Sequence, residues 1–319
     1  MKLLIAFLVL VALLVDQRKQ GNPLDNLPAT IEVLTHFGER ADISPDNQRV
    51  AFMSKSFGDA MVIDVKTRII QCLTSNVPGA AFLRVMHLVT GDYILIGPDH
   101  FENIHVSRTR DNELWFLSKE RGSKPVKLVH HKTVFASKDR SCVLEAQDLY
   151  DNDTRMTFTC YEPNDQASVM GIDLESGEVT NFSKAPGTYN EPEGIFPDGI
   201  YTTVEADRQS ETLGGRRGSG NIDIWKMKLD GTGKDFVRLT HFNDYVGGKA
   251  SNPVVSTDGR FMAFQAARTT DPAGVGYGIL IFWFGPSSLS RGESARVSCS
   301  VCLFSDCNNP PKTNAYALG

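Results

Sequence analysis

The chain has 319 residues, with 33 Lys or Arg against 38 Asp or Glu, a formal net charge of −5, and 41% hydrophobic and 22% charged residues. This balance excludes a disordered chain, a collagen-like fibre and a polytopic membrane protein. A mildly acidic chain with no Lys/Arg stripe gives no ground for a nucleic-acid partner, and the length does not force a second domain, because single β-rich domains run well past about 150 residues.

Lys2 precedes the uncharged apolar run Leu3 to Val15, which Asp16-Gln17-Arg18-Lys19-Gln20 ends abruptly. At 1.5 Å per residue such a run spans about 20 Å, short of a ~30 Å hydrocarbon core. Residues 1–20 are therefore expected to be a secretory signal, or an uncleaved anchor because no small-x-small cleavage site follows Ala12. The expected location is extracellular or periplasmic, without stable membrane insertion.

The turn sequence Asp151-Asn152-Asp153 lies between Cys142 and Cys160. In a hairpin centred on residue 151 the two cysteines face each other, which makes them a disulfide candidate, with two buried free thiols as the alternative. Asn152-Asp153-Thr154 and Asn181-Phe182-Ser183 are glycosylation sequons in a eukaryotic host. Cys299, Cys302 and Cys307 lack a fourth ligand and a nearby His, so no metal is expected. No cofactor motif is present either.

Internal repetition carries the fold. Ser44-Pro45-Asp46-Asn47-Gln48-Arg49-Val50-Ala51-Phe52 is followed by Met61-Val62-Ile63-Asp64 and then Cys72-Leu73-Thr74. The same order of turn, strand, second acidic turn and outer strand recurs around Asp92, Asp151, Asp198 and Asp258, in steps of 46 to 60 residues. Each unit reads as an antiparallel meander, with Asp-Gly or Asp-Asn supplying the residue tolerant of positive φ at the hairpin. Such a unit buries its faces only by stacking on neighbours, and periods of roughly 40 to 60 residues with several strands each predict a β-propeller. Val33-Leu34-Thr35-His36-Phe37 matches Arg238-Leu239-Thr240-His241-Phe242, so an N-terminal strand is expected to complete the last blade and remove an open edge.

These turn-strand motifs, followed by I-x-x-x-D-x-x-G and L-T, resemble the TolB-like, PD40-type (WD40-like) β-propellers over roughly residues 31–282. The resemblance implies an all-β fold of five to six four-stranded blades, six being usual for the family. It implies little about activity, because such propellers include periplasmic accessory proteins, peptidase-associated domains and secreted hydrolases or lyases. Residues 129–141 fit the repeat poorly, as though part of a blade were missing. Residues 283–319, rich in Cys and Pro, are expected to be a divergent tail that packs poorly.

Aligning the repeats just before the turn Asp puts Arg40, Glu145, Glu191 and Asn252 at comparable inner-strand places, with Gln147 and Glu193 close by. Charged residues are unusual there, so these six are candidate ligand contacts at the channel mouth. The alternative is a solvated channel whose charges pair between blades. Gly214 to Gly220 lacks the ending of a phosphate loop and reads as a mobile interblade loop with Arg216 and Arg217 as secondary contacts. Trp115 and Trp225 read as equivalent core positions. The expected function is a monomeric exported scaffold that binds a protein, a small polar ligand or a carbohydrate through the channel face. The second reading is a carbohydrate-active hydrolase or lyase using Glu145, Glu191 or Glu193.

Overall fold

A computed structural model describes residues 16–109, 111–128, 143–151, 154–213, 215–272, 274–285 and 296–298, with backbone only for 109, 143–150 and 296–298. Its strands form five antiparallel four-stranded sheets. β1 (Ile31–Val33) belongs to the last sheet. Blade 1 contains β2 (Glu39–Ile43), β3 (Arg49–Met53), β4 (Ala60–Asp64) and β5 (Ile69–Cys72). Blade 2 contains β6 (Arg84–His87), β7 (Tyr93–Pro98), β8 (Asn112–Leu117) and β9 (Val126–Lys127), with a short helix α1 (Ile104–Thr109) between β7 and β8. Blade 3 holds β10 (Val143–Tyr150), β11 (Arg155–Glu162), β12 (Gln166–Asp173) and β13 (Val179–Asn181). Blade 4 holds β14 (Asn190–Ile195), β15 (Tyr201–Ala206), β16 (Asp223–Lys228) and β17 (Phe236–Arg238). Blade 5 joins β18 (Gly248–Val255), β19 (Phe261–Arg268) and β20 (Ile279–Trp283) to β1. The result is a five-bladed β-propeller, one blade fewer than is usual for the family that the repeats resemble.

The repeated turns form for a local reason. In blade 1 the Asp46 carboxylate accepts from the Gln48 N–H at 3.1 Å while Asn47 adopts φ 59. Asp198 and Asp258 accept in the same way from Ile200 and Arg260, and the residue after each is glycine at φ 65 and 67. This Asx-type bond fixes the hairpin without help from the rest of the chain. The second acidic turn repeats the device, with Asp64 accepting from Thr67 and Asp173 from Ser176.

Period-two alternation then assigns each face of a strand to a different seam. On β3, Val50 and Phe52 enter the apolar cluster shared with Phe261, Ala263 and Ile281 of blade 5. Ala51 and Met53 face the other way and pack with Val85, Leu95 and Leu117 of blade 2. On β19, Met262 and Phe264 pack with Ile224 of blade 4, and Val204 and Met227 pack with Val169 of blade 3. Residues 129–142, which lie between blades 2 and 3, fall outside the described residues.

Ring closure follows the expected course. β1 pairs antiparallel with β20, Ile31 opposite Phe282 and Val33 opposite Leu280. Glu32 reinforces the joint, accepting from Trp283 Nε1 at 3.1 Å and meeting Arg68 of blade 1 at 3.0 Å. β20 therefore runs one residue past the expected 282 boundary, and Phe284 also packs, against Phe196 and Phe282. Beyond it, β21 (Arg296–Ser298) pairs parallel with β5 at the outer edge of blade 1 and completes no blade.

One sequence expectation needs correction. The glycine-rich segment 214–220 joins β15 to β16 within blade 4, so it is not an interblade loop. It is tied down there, Gly218 N–H donating to Asp207 and Ser219 N–H to Asp165, while Arg217 is engaged by Glu211 and Asp207. Cys160 is disulfide-bonded; in the ladder it stands opposite Leu144, the hairpin turning one to two residues later than residue 151. Cys142 and Asn152 lie outside the described residues. Asn181 is half-buried, accepting from Lys184 N–H at 2.9 Å. Trp115 and Trp225 do occupy equivalent third strands, opposite Lys127 and Arg238. Among the described residues no helix is long and apolar enough to cross a membrane.

If β1 is the closing strand, Ile31→Ala removes a side chain buried in the blade 4–blade 5 cluster and is expected to cost about 2 kcal/mol or more. Urea unfolding followed by tryptophan fluorescence measures this, and an unchanged midpoint would contradict the closure.

Candidate functional site

Four of the five inner strands carry the same irregularity. Their ladders break between Glu39 and Asp42 on β2, Ala146 and Asp148 on β10, Pro192 and Ile195 on β14, and Ser251 and Val254 on β18. A bulge sets extra residues against one partner and re-aims the side chain at that point. Arg40, Gln147, Glu193 and Asn252 are the first residues past the last regular pair in each strand. Arg40 and Asn252 take up left-handed backbone there, at φ 55 and 50. Glu191 and Glu145 lie two residues earlier, opposite Glu205 and Thr159, so the equivalence with Arg40 and Asn252 belongs to Glu193 rather than Glu191.

The bulges open onto a central cavity of about 550 Å³ whose walls include Arg40, Glu191, Glu193 and Asn252. Four of the six sequence-derived residues thus share one cavity. The side chains of Glu145 and Gln147 lie outside the described residues.

Arg40 is 5% exposed. Its N–H donates to Gln265 Oε1 at 2.7 Å, and its guanidinium lies 3.6 Å from the buried Glu39. Burial, then the neighbouring Arg84 and Arg108, push its pKa down to about 10. Gly274 leaves room for this side chain: a Cβ there would stand 1.7 Å from Arg40 Nη2, at a backbone φ of 82.

Blade 4 supplies the acidic wall. Glu191, Glu193 and Glu205 each bring a carboxylate oxygen within 4.8 Å of the others. Both oxygens of Glu191 are engaged, one accepting from Tyr161 OH and the other from Tyr189 OH. The Tyr189 phenol is pushed up by burial and by that carboxylate. Glu205 accepts from the Asn252 N–H and is 5% exposed. Burial raises its pKa, and the Asn252 N–H, Lys249, a hydrogen bond with the Glu193 side chain, and Arg84 offset only part of the rise.

Sequence reasoning missed Glu205, Arg84, Lys249 and Ser251, all of which line the cavity. Glu205 sits on the second strand of its blade, and only its place opposite Glu191 marks it. Lys249 and Ser251 precede the β18 bulge on the inner strand, in the same run that drew notice to Asn252.

The fold and site together define a five-bladed β-propeller with a polar, charge-lined channel. No family model and no curated protein matches the sequence. Among solved structures the chain is similar to a protein assigned as TolB from Agrobacterium tumefaciens, at 14% identity over 74% of this chain and 72% of that one, with TM-score 0.37. It is also similar to TolB from Acinetobacter baumannii, at 14% identity over 79% of this chain and 54% of that one, with TM-score 0.34. A third similar structure is the β-propeller domain of the Trilobed protease from Pyrococcus furiosus, at 10% identity over 77% and 78%, with TM-score 0.41. The fold assignment itself rests on the strand pairing described above.

The raised Glu205 carboxyl has a sign that solution data will show. Between the ordinary carboxylate range and its elevated folded value, the unfolded chain has lost a proton that the folded chain keeps, so stability falls as pH rises through that window. Glu205→Gln removes this titration. Its unfolding free energy should gain on that of the wild type from about pH 4 upward, by at most about 1.4 kcal/mol per pH unit. Parallel pH profiles of the two proteins would contradict the assignment.

Proposed function

We propose that the chain is an exported, non-enzymatic binding scaffold that takes a small polar ligand, or a polar group of a protein partner, into its channel. The observation that carries this reading is the convergence of Arg40, Glu193 and Asn252, from three separate blades, on one cavity of about 550 Å³. That volume falls in the range of small-molecule pockets. Packing alone gives no reason to gather buried charge at a hub, because each buried ion loses hydration that only a partner restores. Export rests on the apolar run and charged stop of residues 1–20, and a Cys142–Cys160 bridge and glycans at Asn152 and Asn181 belong to the same proposal.

The alternative, a secreted carbohydrate-active hydrolase or lyase, is favoured by one feature: the raised pKa of Glu205 is the direction a general acid needs. Against it, the two tyrosine hydroxyls hold Glu191, and the carboxylate oxygens of the acidic wall cluster within 4.8 Å, which leaves little room for a sugar ring between them.

Isothermal titration calorimetry with L-alanine, tri-alanine, maltotriose and chitotriose, together with hydrolysis assays on the two oligosaccharides, separates the readings. The scaffold reading expects binding without turnover, weakened at least about tenfold in Arg40→Ala or Glu193→Ala, in line with loss of one charged contact. Turnover that is lost in Glu205→Gln with the fold intact would establish the enzyme instead.

A further inference from the structure

Lys249 is 4% exposed, yet its ammonium makes a single long hydrogen bond, 3.5 Å to the Ser219 carbonyl. An ammonium has three donors, and a buried one without a counter-charge is costly. Among the described residues no carboxylate lies within ion-pair distance of it, nor of Arg84, which lines the same cavity. Ser251 is 4% exposed, lines the same cavity, and its Oγ has no hydrogen-bond partner. These three groups line one cavity, and each suits an anionic oxygen.

The acidic residues of the cavity have the opposite demand. Glu193 and Glu205 stand together, their side chains hydrogen-bonded, and the buried Asn252 Oδ1 accepts from no donor. Lys249 and Arg84 act on the Glu205 carboxylate through space without touching it. Both signs therefore line one cavity without forming an ion pair.

We infer that the channel ligand is a zwitterion, a free α-amino acid or a short peptide with both termini free, its carboxylate on Lys249, Arg84 and Ser251 and its ammonium on Glu193, Glu205 and Asn252 Oδ1. This deepens the channel-binding reading and rests on it. Charge bookkeeping separates the other ligand classes. A bare divalent cation would suit the acidic wall but leave Lys249 and Arg84 unpaired and repelling it. A bare anion would leave Asn252 Oδ1 without a donor and face the acidic wall of Glu191, Glu193 and Glu205. A neutral sugar would leave the buried ammonium uncompensated.

The test is calorimetric, on the intact chain, with L-alanine and tri-alanine, each in free, N-acetylated and C-amidated form, alongside maltotriose and calcium chloride. At least one free form is expected to bind, and capping either end weakens binding about tenfold or more, the loss of one charge-assisted contact. Lys249→Gln makes the free and amidated forms equivalent. Should that variant not fold, Ser251→Ala supplies the second reading, weakening the free form more than the amide. Capped forms that bind as tightly as the free ones overturn the assignment. So does binding of maltotriose or calcium, weakened by Ser251→Ala, when no free amino acid or peptide binds; in both cases the channel-binding reading stands. If no probe binds, both readings fall together.

Discussion

The structure depends on the pairing of its first described strand with its last long one. A meander of four strands leaves two edges and two apolar faces, and a row of such blades is stable only when the row closes. Here Ile31 to Val33, supplied from the start of the chain, fill the outer position of blade 5 beside Leu280 to Phe282. The Glu32 carboxylate extends the joint to Arg68 of blade 1. Once this pairing holds, blade 5 is fixed against blade 1 through Phe261, Ala263 and Phe52, and the inner strands β2 and β18 become neighbours at the hub.

The hub owes its chemistry to the bulges. A regular inner strand alternates its side chains between the two adjacent seams, where apolar residues belong. A break in the ladder sends one side chain per blade out of that alternation, and the chain places Arg40, Glu193 and Asn252 at these breaks. Backbone at φ 55 and 50 is unfavourable for residues other than glycine. Arg40 and Asn252 keep it because their N–H groups are held by Gln265 and Glu205. The same bonds tie the second strand of one blade to the inner strand of the next, so the polar hub is also structural.

Much of this was legible in the sequence, for local reasons. The acidic turns write themselves as Asp-Asn or Asp-Gly because an Asx bond and a positive φ are decided within four residues, so five repeats gave five blades. The closing strand was legible because its sequence copies the outer strand of blade 4. The site was only partly legible. The repeats were aligned on the turn, and a bulge between the turn and the candidate position shifts the register, which put Glu191 where Glu193 belongs. Glu205 and Lys249 carry no motif at all, and their importance comes from what the ring brings opposite them.

Hydrogen exchange read by mass spectrometry tests the closure most directly. If the ring is closed as described, the amides of residues 31–33 and 279–283 are protected to the same degree as those of β18 and β19 and exchange with them as one cooperative unit. Exchange of residues 31–33 at the rate of an unstructured peptide, with β19 still protected, would contradict the closed ring and with it the gathering of the channel residues.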